Sequence, residues 1–428
     1  MKDYYLDFVD LKYKPDKTDL ICKFYVEPAR GITMKEAIGR VASESSNGTW
    51  TELTTLTPRI RKLAAKAYKI KGNNVEIAYP IELFEPGNMP QILSSIAGNI
   101  FGMKAVQNLR LQDINWPLPI IKSFLGPQFG INGIRSFMKI KKRPLTATVP
   151  KPKVGMTAEE HSKVCYDVWI GGVDLCKDDE NLSSLKFNKF KKRVNLTFKM
   201  RDKAEKETGE KKSYLINISS ETKEMIHRAR MVANHGGEYV MIDILTTGWS
   251  SLQTLREECK HLGLAIHAHR CFHSLFTRNP KHGMSMLCVA DIARLIGVDQ
   301  LHIGTVLGKL VSPKEEVLML EEELQKKFIT KNSNRLEEDW YNIKPVLPAA
   351  SGGLHPGIVP DIMKMLGNDI IIQCGGGIHG HPDGSKAGAT ALRQAIDATM
   401  NNISLEKAAK EHKELRNALK TWHHIHPK

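Results

Sequence analysis

Seven cysteines are scattered through 428 residues without one CxxC pair, and an odd number cannot close completely into disulfides. The chain therefore reads as a cytosolic protein with reduced thiols, and a cytoplasmic location is expected. Long apolar runs are missing as well. Asn88 to Met103 carries no charge, but it is too short and, with Pro90, Gln91, two serines and Asn99, too polar to span a bilayer, so no membrane association is expected. The opening MKDYYLDFVDLKYK has no apolar segment or cleavage site of a secretory signal. No low-complexity tract is visible. Aromatic residues are 7% of the chain, too sparse for the stacking surface of a single-strand nucleic-acid binder.

Hydrophobic residues at 41% and charged residues at 25% match a globular average, which excludes wholesale disorder. At roughly 100 to 200 residues per domain the length allows two to four domains. Sixty-two Lys and Arg against 47 Asp and Glu leave a net charge of +15, which suits anionic ligands without choosing among them. The basic segment Lys186 to Lys212 has interleaved acids and reads as a solvated helix face, so no nucleic-acid partner is expected. The histidine-rich tail His423-His424-Ile425-His426 reads as a frayed end.

From about residue 145, short apolar runs alternate with helical patterns, the signature of βα units on a parallel sheet. Eight runs are expected as strands: Thr146 to Val149, Val173 to Cys176, Tyr214 to Ser219, Tyr239 to Leu245, Leu264 to His269, Leu301 to Thr305, Val346 to Ala350 and Ile370 to Cys374. Eight such units close into a (β/α)8 TIM barrel without unprotected edges. The fold class is thus α/β, with a barrel over residues 126–428 that ends in a helical tail. Residues 1–125 form a separate α+β domain of ferredoxin-like type, with strands at Leu20 to Val26 and Val75 to Phe84 and helices beginning at Thr33, Pro58 and Met89.

Barrel chemistry gathers at the C-terminal ends of strands, and six of the eight ends here are reactive or backbone-exposing. They carry Lys151 and Lys153; Lys177, Asp178, Asp179 and Glu180; His267, His269, Arg270 and His273; His302 with Lys309; Ser351-Gly352-Gly353; and Gly375-Gly376-Gly377. Glycines after the seventh and eighth strands let backbone N–H groups approach a phosphate, and Arg270, His302 and Lys309 are suited to a second one. Asp179 and Glu180 offer hard oxygens, which favour Mg2+ over zinc.

At these residues the sequence resembles the large subunit of ribulose-1,5-bisphosphate carboxylase/oxygenase (RuBisCO). The most distinctive block is Gly172-Val173-Asp174-Leu175-Cys176-Lys177-Asp178-Asp179-Glu180. Support comes from Val149 to Lys153, His267 to Arg270, Gly304 to Lys309 and the two glycine turns, and in the front domain from Glu44 to Trp50 and Gly98 to Gly102.

The resemblance implies that an activating CO2 carbamylates Lys177, and that this carbamate with Asp179 and Glu180 binds Mg2+. It implies that Lys151 protonates a late carbanion, His269 assists proton movements, and Lys309 closes over the substrate on a mobile loop. Lys153, Arg270, His302, Ser351, Gly352, Gly353, Gly375 and Gly376 would hold ribulose 1,5-bisphosphate. Thr49, Trp50, Glu44 and Asn99 would reach in from a second subunit, making a homodimer, or an assembly of dimers, the working unit. Repulsion from Lys151 and Lys153 is expected to lower the Lys177 pKa.

Ile303 in place of a serine and Leu175 in place of a common aromatic depart from the plant-type pattern. With the HAHR block and the short front extension, these features look like the archaeal type, form III. That type works without a small subunit and is associated with nucleotide (AMP) salvage. The implied reaction is Mg2+-dependent enolisation and CO2 addition giving 3-phosphoglycerate, with O2 as the alternative gas. The nearest competing function is a RuBisCO-like enolase or isomerase of a related sugar phosphate, which typically lacks several of these residues.

Overall fold

A computed structural model describes residues 4–307 and 313–423. Lys309 and the tail residues His424, Ile425 and His426 lie outside them. Two compact units divide the chain: Met1–Leu125 with Phe272–Leu295 and Lys326–Ile343, and Gly126–Cys271 with Ile296–Gln325 and Lys344–Lys428.

The first unit is built on an antiparallel sheet of β1 (Leu20–Pro28), β2 (Lys66–Lys71), β3 (Asn74–Tyr79) and β4 (Val106–Asn115). Its order is β4-β1-β3-β2, and the two-residue strand Gly283–Met284 adds in parallel beside β4. Helix Met34–Glu44 starts where Thr33 accepts a hydrogen bond from Glu36 N, and it buries Ala37, Ile38, Val41 and Ala42. The strand expected to run from Val75 to Phe84 stops at Tyr79. Pro80 has no N–H for the ladder, and Ile81–Leu83 turn into a 3-10 helix. β2 and β4 were not anticipated, because KAYKIK and VQNLRLQDIN are too polar to register as apolar runs.

The second unit contains a closed parallel barrel of β5 (Leu145–Thr148), β6 (Leu175–Lys177), β7 (Ser213–Asn217), β8 (Tyr239–Asp243), β9 (Ala265–His269), β10 (Gln300–Gly304), β11 (Leu347–Ser351) and β12 (Ile371–Gln373). All eight expected strands are present, each shifted or trimmed by one to a few residues. β8 ends before its apolar run does: the run continues through Ile244 and Leu245, but helix Ile244–Thr247 begins there, and Thr246 and Thr247 hydroxyls donate back to Asp243 O.

Inward-facing Leu145, Ala147, Leu175, Leu215, Met241, Ala265, Leu347 and Ile371 fill the barrel. Ile131, Ile134 and Met138 of helix Gly130–Met138 join the same cluster and close its lower mouth. Burying a side chain of this size contributes about 1.5–3 kcal/mol, so the filled interior is a rigid platform for the strand ends. Register between β5 and β6 is pinned by Asp174, which pairs with Arg143 at 2.6 Å and accepts from Thr146 N and Oγ1 at 2.8 and 2.9 Å.

The helix expected within Lys186 to Lys212 spans Phe190–Thr208. Its lysines at 191, 192, 199, 203 and 206 are exposed, as a solvated face requires. Arg193 and Arg201 are instead buried, Arg193 against Asp178 and Arg201 over the Phe198 ring. Among the described residues no helix is long and apolar enough to cross a membrane.

Candidate active site at the C-terminal ends of the barrel strands

A cavity of about 650 Å³ opens where the barrel strands end. Its wall includes Lys151, Lys153, Lys177, Asp179, Glu180, His269, Ser351, Gly352, Gly353, Gly375 and Gly376, all supplied by the second unit. Eleven side chains or backbones named from sequence therefore share one space. His302 stands behind this wall, accepting or donating at Ser351 Oγ across 2.8 Å, with its ring centroid 4.9 Å from that of His269. Arg270 is buried after β9, and burial pulls its guanidinium down to about 10; it is not part of the cavity wall.

Lys177 ends β6 and is fully buried at 0% exposure. Its Nζ donates to Asp178 O at 2.6 Å and to Met241 Sδ at 3.2 Å, and among the described residues no carboxylate pairs with it directly. Burial lowers its pKa, against the opposing pull of Glu180, Asp243, Asp179 and Asp178. Burial is thus the leading cause, a correction to the repulsion by Lys151 and Lys153 expected from sequence. A buried amine of lowered pKa reaches its neutral, nucleophilic form more easily.

The two carboxylates beside Lys177 have different surroundings. Lys151 Nζ lies 2.9 Å from Asp179 Oδ2. Burial disfavours the Asp179 charge, but Lys151 and Asn181 outweigh it and hold the carboxyl below its usual value. Glu180 Oε2 lies 3.8 Å from His269 Nε2. Asp178 faces away from the cavity into a buried network of Arg193, His161, Tyr214 and the Asn217 N–H, which anchors the peptide between Lys177 and Asp179.

Hard oxygens at Asp179 and Glu180, with the Lys177 amine between the same strand end and the cavity, form a donor set that fits Mg2+ once the amine carries a carboxyl group. The unmodified amine has no acceptor to offer a cation.

In the same cavity, the glycine turns expose backbone. Gly352 and Gly353 adopt φ +114° and +89°, a region that β-carbon-bearing residues avoid. A Cβ placed on Gly376 would meet nothing within 4 Å, so this edge of the turn faces open space.

A buried relay backs the site. Ser351 Oγ, His302 Nδ1, His302 Nε2 and His267 Nε2 are joined by contacts of 2.8 Å, and His267 Nδ1 meets Gln300 Oε1 at 2.7 Å. Gln300 Nε2 then donates to Tyr239 OH at 2.7 Å. Burial drives both histidines well below the ordinary imidazole value. Burial, followed by Lys177, also lowers His269.

Several contributors were not foreseen. Asn217 ends β7 and donates to Glu180 O at 3.2 Å and to Asp243 Oδ2 at 3.3 Å; Asp243 ends β8 and approaches His269. They close the third and fourth barrel strands, and the strand-end rule applies to both. Gln373, His355 and Trp422 also line the cavity.

In the first unit, Asn99 Nδ2 reaches Glu44 Oε1 at 3.5 Å, Thr49 is partly buried, and Trp50 is 73% exposed.

Comparison with known proteins gives a consistent result over the whole chain. The profile described as ribulose bisphosphate carboxylase large chain, catalytic domain, matches residues 130–422, and that of the N-terminal domain matches residues 7–120. Ribulose bisphosphate carboxylase of Pyrococcus abyssi is 51% identical over 430 residues, covering 100% of this chain and 98% of its own. The enzyme of that name from Methanosarcina mazei is 51% identical over 422 residues, covering 97% and 99%. Among solved structures, the dimeric archaeal Rubisco from Hyperthermus butylicus superposes with a TM-score of 0.94 at 49% identity, covering 98% of this chain and 100% of that one. The octameric enzyme from Pyrococcus horikoshii gives 0.90 at 49% identity, with 98% of each covered. The chain belongs to the RuBisCO large-chain family and is of its archaeal type.

Proposed function

We propose that this protein is a ribulose-1,5-bisphosphate carboxylase, a carbon–carbon lyase that also admits O2. The observation that carries this is the buried, pKa-lowered Lys177 flanked by Asp179 and Glu180, sharing one cavity with backbone-exposing glycine turns. An amine kept away from a direct ion pair can lose its proton and add to CO2, releasing a second proton and leaving a carbamate. That carbamate, Asp179 and Glu180 would hold Mg2+. When bound, the ion supplies Lewis-acid polarisation of the ketose and stabilises developing negative charge.

The chain's own groups do the rest. Backbone N–H groups at Gly352, Gly353, Gly375 and Gly376, with Ser351, bind one phosphate; Arg270, Lys153 and His302 favour the other anionic and hydroxyl groups. Lys151 delivers a proton to the carbanion left by carbon–carbon cleavage, and it is already aligned beside Asp179. His269 moves protons between the sugar hydroxyls and its carboxylate neighbours. Lys309 closes the site and excludes water from the reactive intermediate.

Glu44, Thr49, Trp50 and Asn99 complete the site from a partner copy, without a small subunit. The dimeric and octameric assemblies of the archaeal relatives support a homodimer or a set of dimers. A role in nucleotide salvage in the cytoplasm follows the archaeal affiliation. Purified protein given Mg2+, labelled bicarbonate and ribulose 1,5-bisphosphate is expected to place label in 3-phosphoglycerate. Consumption of the ketose with no label in that product assigns the chain to enolisation or isomerisation instead.

A further inference from the structure

We propose that Asp243, His269 and Cys271 form a binding site for a zinc-class divalent cation, separate from the Mg2+ ligands, and that filling it suppresses turnover. The three side chains come from the end of β8 and the end of β9 and the residue two beyond. Their ligand atoms all lie within 4.8 Å of one another. Among the described residues this is the one group of three or more His, Cys, Asp or Glu ligands with that spacing.

Ligand chemistry separates this trio from the magnesium set. A thiol sulfur, an imidazole nitrogen and a carboxylate oxygen suit zinc, whereas magnesium takes oxygen only. Zinc bonds of about 2.0–2.3 Å place tetrahedral ligands roughly 3.3–3.8 Å apart. Asp243 Oδ1 and His269 Nδ1 are 3.2 Å apart, so that pair is already near ligand spacing and the thiol needs only a small closure.

A second observation points to a cation here. Asp243 is buried, and its Oδ1 has no aligned hydrogen-bond donor among the described residues. The Cys271 backbone N–H approaches the same His269 Nδ1 at 3.3 Å, a contact that a metal on Nδ1 would replace. The buried Asp243 carboxylate oxygen and His269 Nδ1 therefore meet at a corner where a bound cation would compensate the carboxylate charge. Cys271 is also the only one of the seven cysteines that is not buried, which makes it the thiol open to an entering ion. Binding exchanges the thiol proton for the metal, and a water completes the tetrahedron. Suppression of turnover rests on the proton-handling role proposed for His269, because a ligated Nδ1 fixes the ring; binding itself does not.

Two readouts test this on the full-length Mg2+-activated enzyme. Co2+ is expected to produce a near-ultraviolet thiolate-to-cobalt charge-transfer band in the wild type, and Zn2+ is expected to remove it. The band is expected to vanish in Cys271→Ser, with Cys271→Ala as a second variant. At saturating Mg2+, the Zn2+ concentration that halves turnover is expected to rise about tenfold or more in these variants, the scale of losing a metal-site contact. No band in the wild type, or a band that survives both substitutions, overturns the site. Equal zinc sensitivity in wild type and variants overturns the inhibitory role, since it places the competing zinc on the Mg2+ ligands. The cobalt band needs no turnover, so it stands or falls independently of the carboxylase assignment.

Discussion

Lys151 Nζ and Asp179 Oδ2 lie 2.9 Å apart, joining the loop after β5 to the loop after β6 across the floor of the cavity. The pair holds a proposed proton donor against a proposed metal ligand, so neither is free to drift before substrate arrives.

Replacing that donor separates its chemistry from its packing. Lys151→Met is expected to keep the fold and to lower carboxylation by about 10²–10⁴-fold, the usual range for removing a positioned acid or base. Exchange of solvent deuterium into the ketose at C3 is expected to fall much less, because that earlier step is assigned elsewhere. Steady-state rates and exchange measured on one preparation distinguish the two; equal losses in both would take the late-proton role from Lys151.

Lys177→Met removes the amine while keeping most of its volume. Turnover is expected to be lost at every CO2 and Mg2+ concentration, with no activation phase on preincubation. Thermal stability is expected to hold or rise, since a buried amine without a carboxylate partner becomes an apolar side chain. A melting curve and an activation time course check both halves. A large drop in stability would mean the lysine's bonds to Asp178 O and Met241 Sδ hold the strand end together.

Asp178 has a structural role beside two functional neighbours. Asp178→Asn is expected to cost about 3–5 kcal/mol, because Arg193 and the surrounding donors lose their buried counter-charge. Denaturant unfolding measures that loss. Substitution of the exposed partner Asp202, which pairs with Arg201, is expected to cost less than about 1 kcal/mol.

His379 gives a pH signature. Its Nε2 lies 3.1 Å from Thr148 Oγ1, whose hydroxyl donates to Cys374 O, and its Nδ1 lies 2.9 Å from Ser385 Oγ. Burial, with Lys151 adding repulsion, pushes its pKa down from 6.5 to about 4. An imidazole depressed in the folded state stabilises the protein fully above pH about 6.5, and that contribution is lost as pH falls toward 4. The loss is at most roughly 3 kcal/mol on complete protonation. Unfolding free energy measured from pH 7 to 4 is expected to fall less steeply in His379→Gln than in the wild type.

Much of the barrel could be read from the chain because its strands are buried on both faces, so each appears as a continuous apolar run whatever its exact hydrogen-bonding limits. The limits themselves were less legible. Val173 is buried but precedes the paired residues of β6, while Lys177, which a pattern of apolar residues places outside, is the last residue of the strand. In the first unit, β4 escaped notice because Arg110 looks like a surface residue; it is buried and donates to Asn279 and Thr277 carbonyls.

Residue types at the site were visible because strand-end position and chemistry coincide. The contacts among His267, Gln300 and Tyr239 were not, because three strands contribute them and only barrel closure brings them together. Cys271 offered no signal beyond being one of seven thiols, since its neighbour Asp243 arrives from a different strand.

The two glycine turns also constrain each other. A Cβ on Gly377 would collide with Leu354 O and with His355, directly after the Ser351-Gly352-Gly353 turn. Anyone recombining segments between homologues has to carry both loops from the same parent, because a crossover between residues 353 and 377 pairs surfaces that were never shaped to fit.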